Sequence, residues 1–135
     1  GKALRAGRGG VPPAPLRKGF IMSNLKELAE SHMAAARAEE RGRSAELVAH
    51  DGPLRQTVIA LTDGTRMAEH NSPPAASLQV LAGRVRVELE NETQGAFGEG
   101  ELWILTHERH SVLALEDSVF LLTTVTSQQG QDSRG

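Results

Sequence analysis

The chain has 135 residues, with 15 Lys and Arg against 17 Asp and Glu, no Cys, no Tyr, three Phe and one Trp. A chain of this length buries one core without a covalent staple, and the lack of Cys excludes disulfides, thiol catalysis and thiolate-held metals. No apolar run approaches the ~20 residues that span a bilayer, and so few aromatics exclude a stacking platform for single-stranded nucleic acid.

The charge is unevenly placed. Residues 1–21 carry five basic groups (Lys2, Arg5, Arg8, Arg17 and Lys18) and no acid, whereas the rest holds ten basic groups against seventeen acidic, a balance of −7. The leader also contains five Gly and three Pro without an apolar period, so it reads as a disordered or extended arm. Arg17-Lys18-Gly19 is encodable as a purine-rich ribosome-binding tract just ahead of Met22. Translation starting at Met22, with residues 1–21 outside the natural coding sequence, is therefore one expectation for this segment.

Residues 22–42 hold the next element, a helix predicted over Ser23–Arg41. Asn24 with Glu27 three residues on forms a capping box, with Ser23 as the competing cap. Leu25, Leu28, Ala29, His32 and Met33 make a narrow apolar stripe at helical spacing. Ala34, Ala35, Ala36 and Ala38 supply helix propensity rather than burial, and Gly42 is a stop signal. The stripe is Ala-rich and the opposite face carries Glu27, Glu30, Glu39 and Glu40, which favours docking onto protein over membrane. His32 reads as a half-exposed helix residue rather than a ligand.

After Gly42 the period switches to two. Strands are predicted near 45–49, 54–62, 65–70, 76–82, 84–90, 101–105, 110–115 and 118–126, with 91–100 read as a turn. Many short strands with one helix at an end indicate an all-β barrel over 43–126, and the polar residues 127–135 read as a flexible tail. Alternation puts His70 on a face with Arg66, Ala68 and Ser72, Ala76 with Leu78 and Val80, and His110 with Val112 and Ala114. Arg84, Arg86, Glu88 and Glu90 alternate with Val85, Val87 and Leu89 and read as a solvated face.

Two spacings carry a resemblance. The first is Gly64, five residues, His70, one residue, Ser72, three residues, Ala76, six residues, Gly83. The second is Gly100, five residues, Thr106, three residues, His110, three residues, Ala114. Together they resemble the paired motifs of the cupins, specifically small single-domain bacterial ones with an RmlC-like jelly roll. The resemblance covers roughly residues 45–126. It implies a double-stranded β-helix, a cupin-type jelly-roll barrel, preceded by one N-terminal α-helix. In the complete family pattern three His and one Glu hold a metal. Here His70 and His110 keep ligand places, Ser72 stands where the second His belongs and Ala76 where the Glu belongs.

The metal site so implied is incomplete. His107 is a candidate third ligand beside His70 and His110, and the expectation is no cofactor or a weakly bound divalent metal such as Zn, Fe, Mn or Ni. His70, Ser72, His110, Arg66 and Trp103 are the candidates to line a cavity, with Arg66 as a charge clamp and Trp103 stacking a ligand or filling core. The preferred function is a small-molecule binding or sensing barrel for a polar or anionic ligand. A metal-dependent or His-based enzyme (dioxygenase, isomerase or lyase class) and a filled barrel serving protein interaction are the alternatives, so enzyme status stays open. Open jelly rolls leave sheet edges, so a cytoplasmic homodimer paired through edge strands or the helix is expected, without nucleic-acid or membrane partners.

Overall fold

The computed structural model describes residues 22–68, 73–89, 92–105 and 110–126; the leader and the tail lie outside them. Helix α1 (Leu25–Ala38) starts at Asn24, whose side chain accepts the Glu27 backbone N–H at 3.0 Å, so Asn24 rather than Ser23 is the cap. The helix ends at Ala38, three residues earlier than predicted, with Glu39 extended. Gly42 then turns the chain into the first strand at φ +71°, its N–H bonded to the Glu39 carbonyl.

Nine strands follow among the described residues. They are β1 (Arg43–Asp51), β2 (Leu54–Leu61), β3 (Arg66–Ala68), β4 (Ala75–Ala82), β5 (Arg84–Leu89), β6 (Glu92–Gly98), β7 (Leu102–Ile104), β8 (His110–Ala114) and β9 (Ser118–Val125). Their antiparallel pairing builds two sheets in the orders β1-β2-β9-β4-β7 and β3-β8-β5-β6. This is the jelly-roll barrel expected, with one helix before it.

Strand β6 corrects the sequence reading, which took 91–100 as a turn. Gly95 sits opposite Val87 and Thr93 opposite Glu88, so one extra residue bulges from the ladder there. A segment with three Gly, an Asn and a Gln over 91–100 lacks β-propensity, and pairing with β5 supplies the order that propensity does not.

The five-stranded sheet is buried on both faces. Ile59, Leu61, Leu78, Val80, Phe120 and Leu122 point into the barrel, where they meet Met67, Val85, Val87 and Val112 of the other sheet. Val58, Ala60, Val119 and Leu121 point outward and are covered by Ala29, Met33 and Ala36 of α1. That double burial explains the unbroken apolar runs Val58–Leu61 and Val119–Leu122, where a half-exposed strand would alternate. Ala36 is fully buried, at 0% exposure, so the alanines are not all propensity fillers; a methyl there lets the helix backbone approach the sheet.

Two polar links fix the helix in register with the barrel. His32 bridges to β1, with Nε2 2.8 Å from a Glu46 carboxylate oxygen and Nδ1 2.7 Å from the Ser44 hydroxyl. A carboxylate only accepts, so Nε2 donates to Glu46, and Nδ1 shares a hydrogen bond with the Ser44 hydroxyl. At the other end Arg37 donates to Asp117 at 3.0 Å, while the second Asp117 oxygen accepts the Asp63 N–H at 2.9 Å. His32 is thus a helix-to-strand bridge.

Candidate functional site

The interior end of the barrel is built from β3, β4, β7 and β8, the strands that carry both motifs. His110 opens β8 opposite Leu89 of β5 and faces inward with Val112 and Ala114, as alternation predicts. His110 is 6% exposed, on the side of β8 that faces the apolar core. Ala76 faces the same interior with Leu78 and Val80, 8% exposed, and its carbonyl accepts the Leu105 N–H at 2.9 Å. The position that carries a carboxylate in a metal-holding barrel is here a methyl group packed among apolar side chains.

Trp103 is the inward residue of β7. It stands opposite Leu78, between the exposed Leu102 and Ile104. Its ring stacks on Phe97 of β6 with centroids 4.9 Å apart and planes 26° apart. The indole Nε1 is buried and has no hydrogen-bond acceptor among the described residues.

Arg66 is not an interior clamp. Met67, not Arg66, is the β3 residue in the barrel core, so the parity of this strand is the reverse of that expected. The reason is the chemistry available on each side. Outside, Arg66 donates through Nη2 and Nε to one Glu88 oxygen at 2.9 and 3.2 Å, and Arg86 donates to the other oxygen at 2.9 Å. Inside, Met67 joins the apolar core cluster, which suits a thioether and not a guanidinium. Burial works against ionisation of Glu88, but the hydrogen bonds from Arg66 and then Arg86 outweigh it and hold the carboxyl below its ordinary value. The face of Arg84, Arg86 and Glu88 is the solvated one predicted, and Arg66 belongs to it.

His70, Ser72 and His107 lie outside the described residues. Among the described residues no three His, Asp or Glu side chains come together in a metal-holding group, and His110 is the one inward imidazole. This part of the donor set does not fit a metal by itself, and no chemistry is routed through one below. The signals that the sequence reading missed are Phe97, hidden in a segment read as a turn, and Asp117, read only as a turn residue.

The strand orders, the closed apolar interior and the inward His110 together define a small cupin fold of the RmlC-like type. Solved structures agree. KdgF from a Halomonas species is 25% identical with a TM-score of 0.54, the match covering 67% of this chain and 87% of that one. An RmlC-like cupin from Desulfovibrio desulfuricans is 19% identical with a TM-score of 0.55, covering 62% and 81%. A salicylate 1,2-dioxygenase from Pseudaminobacter salicylatoxidans is 17% identical with a TM-score of 0.65, covering 79% of this chain but 35% of the enzyme. No protein-family model and no curated protein sequence matches the chain. Among the described residues no helix is long and apolar enough to cross a membrane.

Proposed function

We propose that this chain is a small-molecule binding or sensing barrel rather than a redox enzyme. The observation that carries the reading is His110, a buried histidine that faces inward from β8 beside the apolar core of the barrel. An inward imidazole can both donate and accept hydrogen bonds, so it is a side chain able to recognise a polar ligand in a barrel of this size. Ala76 supports the same reading, because a packed methyl supplies neither the anionic ligand that oxygen-activating metals need nor a carboxylate to orient an imidazole. His70 and Ser72 are proposed to complete the cavity wall, and a divalent metal such as Zn, Fe, Mn or Ni is at most weakly held.

Metal content tests this directly. Protein purified without an affinity-tag column is expected to hold well under one Fe, Mn, Zn or Ni per chain. A stoichiometric metal that disappears in the His70→Ala/His110→Ala double variant overturns the proposal in favour of the metal-enzyme reading.

The protein is further proposed to be a cytoplasmic homodimer. Leu102 and Ile104, 60% and 68% exposed, stand on the outer side of the edge strand β7. A two-fold antiparallel pairing of β7 with its copy sets each Leu102 beside the partner copy's residue 104 and covers both. Light scattering after size-exclusion chromatography is expected to give twice the chain mass for the wild type and the chain mass for L102E/I104E. Equal masses would remove this interface.

A further inference from the structure

Trp103 is the one indole in a chain without Tyr, and it is placed so that its ring face and its N–H play different parts. One face is already covered by Phe97 at a centroid distance of 4.9 Å. The ring packs against the apolar core of the barrel, and its cross-strand neighbour on β4 is Leu78. Yet Nε1 is buried with no acceptor among the described residues. A buried donor left unpaired costs about 1–3 kcal/mol, and buried indoles nearly always find a partner. Phe at position 103 would keep an apolar ring there without that cost.

We infer that the Trp103 N–H is the hydrogen-bond donor that fixes a ligand in the barrel, and that the ligand presents a carbonyl or carboxylate oxygen on an apolar body. Resting on the binding-barrel reading, this names the chemistry of its ligand. The indole acts by its edge and not as a stacking platform. Because an indole donates and cannot accept, the same contact rejects an ammonium or amidinium at that point, where two donors would face each other in an apolar setting. The apolar core around the ring favours a ligand whose remaining surface is hydrocarbon.

The test uses the full chain labelled with nitrogen-15, which has a single indole N–H resonance. The probes are cyclohexanone, acetate and methylammonium, each titrated while thermal unfolding is recorded in parallel. The expected result is a saturable downfield movement of the indole proton with cyclohexanone, acetate or both, and none with methylammonium. Movement with cyclohexanone alone assigns a neutral carbonyl ligand, and with acetate alone a carboxylate. Trp103→Phe, which keeps the ring stack and removes the donor, is expected to bind the active probe about tenfold more weakly. A probe that raises the unfolding temperature without moving the indole proton overturns this inference and leaves the binding barrel standing. An indole proton already at a hydrogen-bonded position in the free protein, or unmoved by every probe, also overturns it. If no probe either stabilises the protein or moves the indole, the binding-barrel reading falls with it.

Discussion

Phe97 and Trp103 stack across the seam of the barrel, for each stands on an edge strand of a different sheet: Phe97 on β6, which ends the four-stranded sheet, and Trp103 on β7, which ends the five-stranded one. The turn at 99–101 that joins the two strands is held by the Glu101 N–H on the Gly98 carbonyl and the Gly98 N–H on the Glu101 carboxylate, and the stack closes the barrel beside it. Phe97→Ala should destabilise the protein by about 2–3 kcal/mol, below the full cost of a buried Phe because the ring is partly exposed. Urea denaturation measures the loss. Since Trp103 is the sole tryptophan, its emission should also move to longer wavelength in the folded variant, and an unchanged spectrum would show that the stack does not shield the indole.

Gly83 joins β4 to β5 at φ +85°, and a Cβ there would run into the Asp117 carbonyl and the Ser118 hydroxyl. The Ser118 hydroxyl is not free to move aside, because it accepts the Arg84 N–H at 2.9 Å and is itself fully buried. Gly64 has the same φ but open space around it. Gly83→Ala should therefore cost about 3 kcal/mol or more and Gly64→Ala about 1 kcal/mol. Equal losses in chemical denaturation would mean that backbone strain alone, and not the collision, sets the cost at both turns.

The faces of β4 and β5 were legible in the sequence because Leu78–Val80 and Val85–Val87 alternate with the polar Ser77, Gln79, Arg84, Arg86 and Glu88. The face of β3 was not. Arg66-Met67-Ala68 offers one strong apolar residue, and the partner that decides its parity, Glu88, is 22 positions away in sequence. Phe97 was hidden for a related reason: pairing with β5 orders β6 against its own composition. The cap at Asn24 was readable because its partner is three residues on, whereas the His32 bridge to Ser44 and Glu46 depends on the helix's angle across the sheet. His70 and Ser72, which the motif spacing singles out, fall outside the described residues, so that half of the site rests on spacing alone.

Asp117 ties three segments together. The Asp63 backbone N–H first, and the Arg37 side chain second, hold its carboxyl below the ordinary aspartate value against a smaller effect of burial. A folded-state pKa below the unfolded one gives stability that is present above the unfolded value, near 4, and is lost as pH falls through the folded one. Asp117→Asn should cost about 1 kcal/mol at pH 7, reduced from the value for a buried pair because Arg37 and Asp117 are both substantially exposed. Below about pH 3 the gap between wild type and variant should narrow, since the wild-type carboxyl is then taking up a proton as well. Denaturation midpoints compared at pH 7 and pH 3 decide it: a gap that stays constant would mean the ionised carboxylate contributes nothing beyond the shape of its hydrogen bonds.

Ala76 offers the sharpest test of what the interior tolerates. Its methyl faces Leu78 and Val80 in the apolar barrel, at the place where a metal-holding barrel carries its carboxylate. Ala76→Glu would set an ionisable group among those side chains, where desolvation raises a carboxyl pKa and the charged form is unfavourable without a cation beside it. The sign follows from linkage. With a folded pKa above the unfolded value of about 4.3, the ionisation penalty is absent below that pH, grows as pH rises, and levels off above the folded pKa. The variant should lose about 2–4 kcal/mol at pH 7.5 in chelator-treated buffer and markedly less at pH 4. Full wild-type stability at pH 7.5 would mean instead that the interior beside Ala76 is wet or already holds a cation, which would count against an apolar binding barrel at that end.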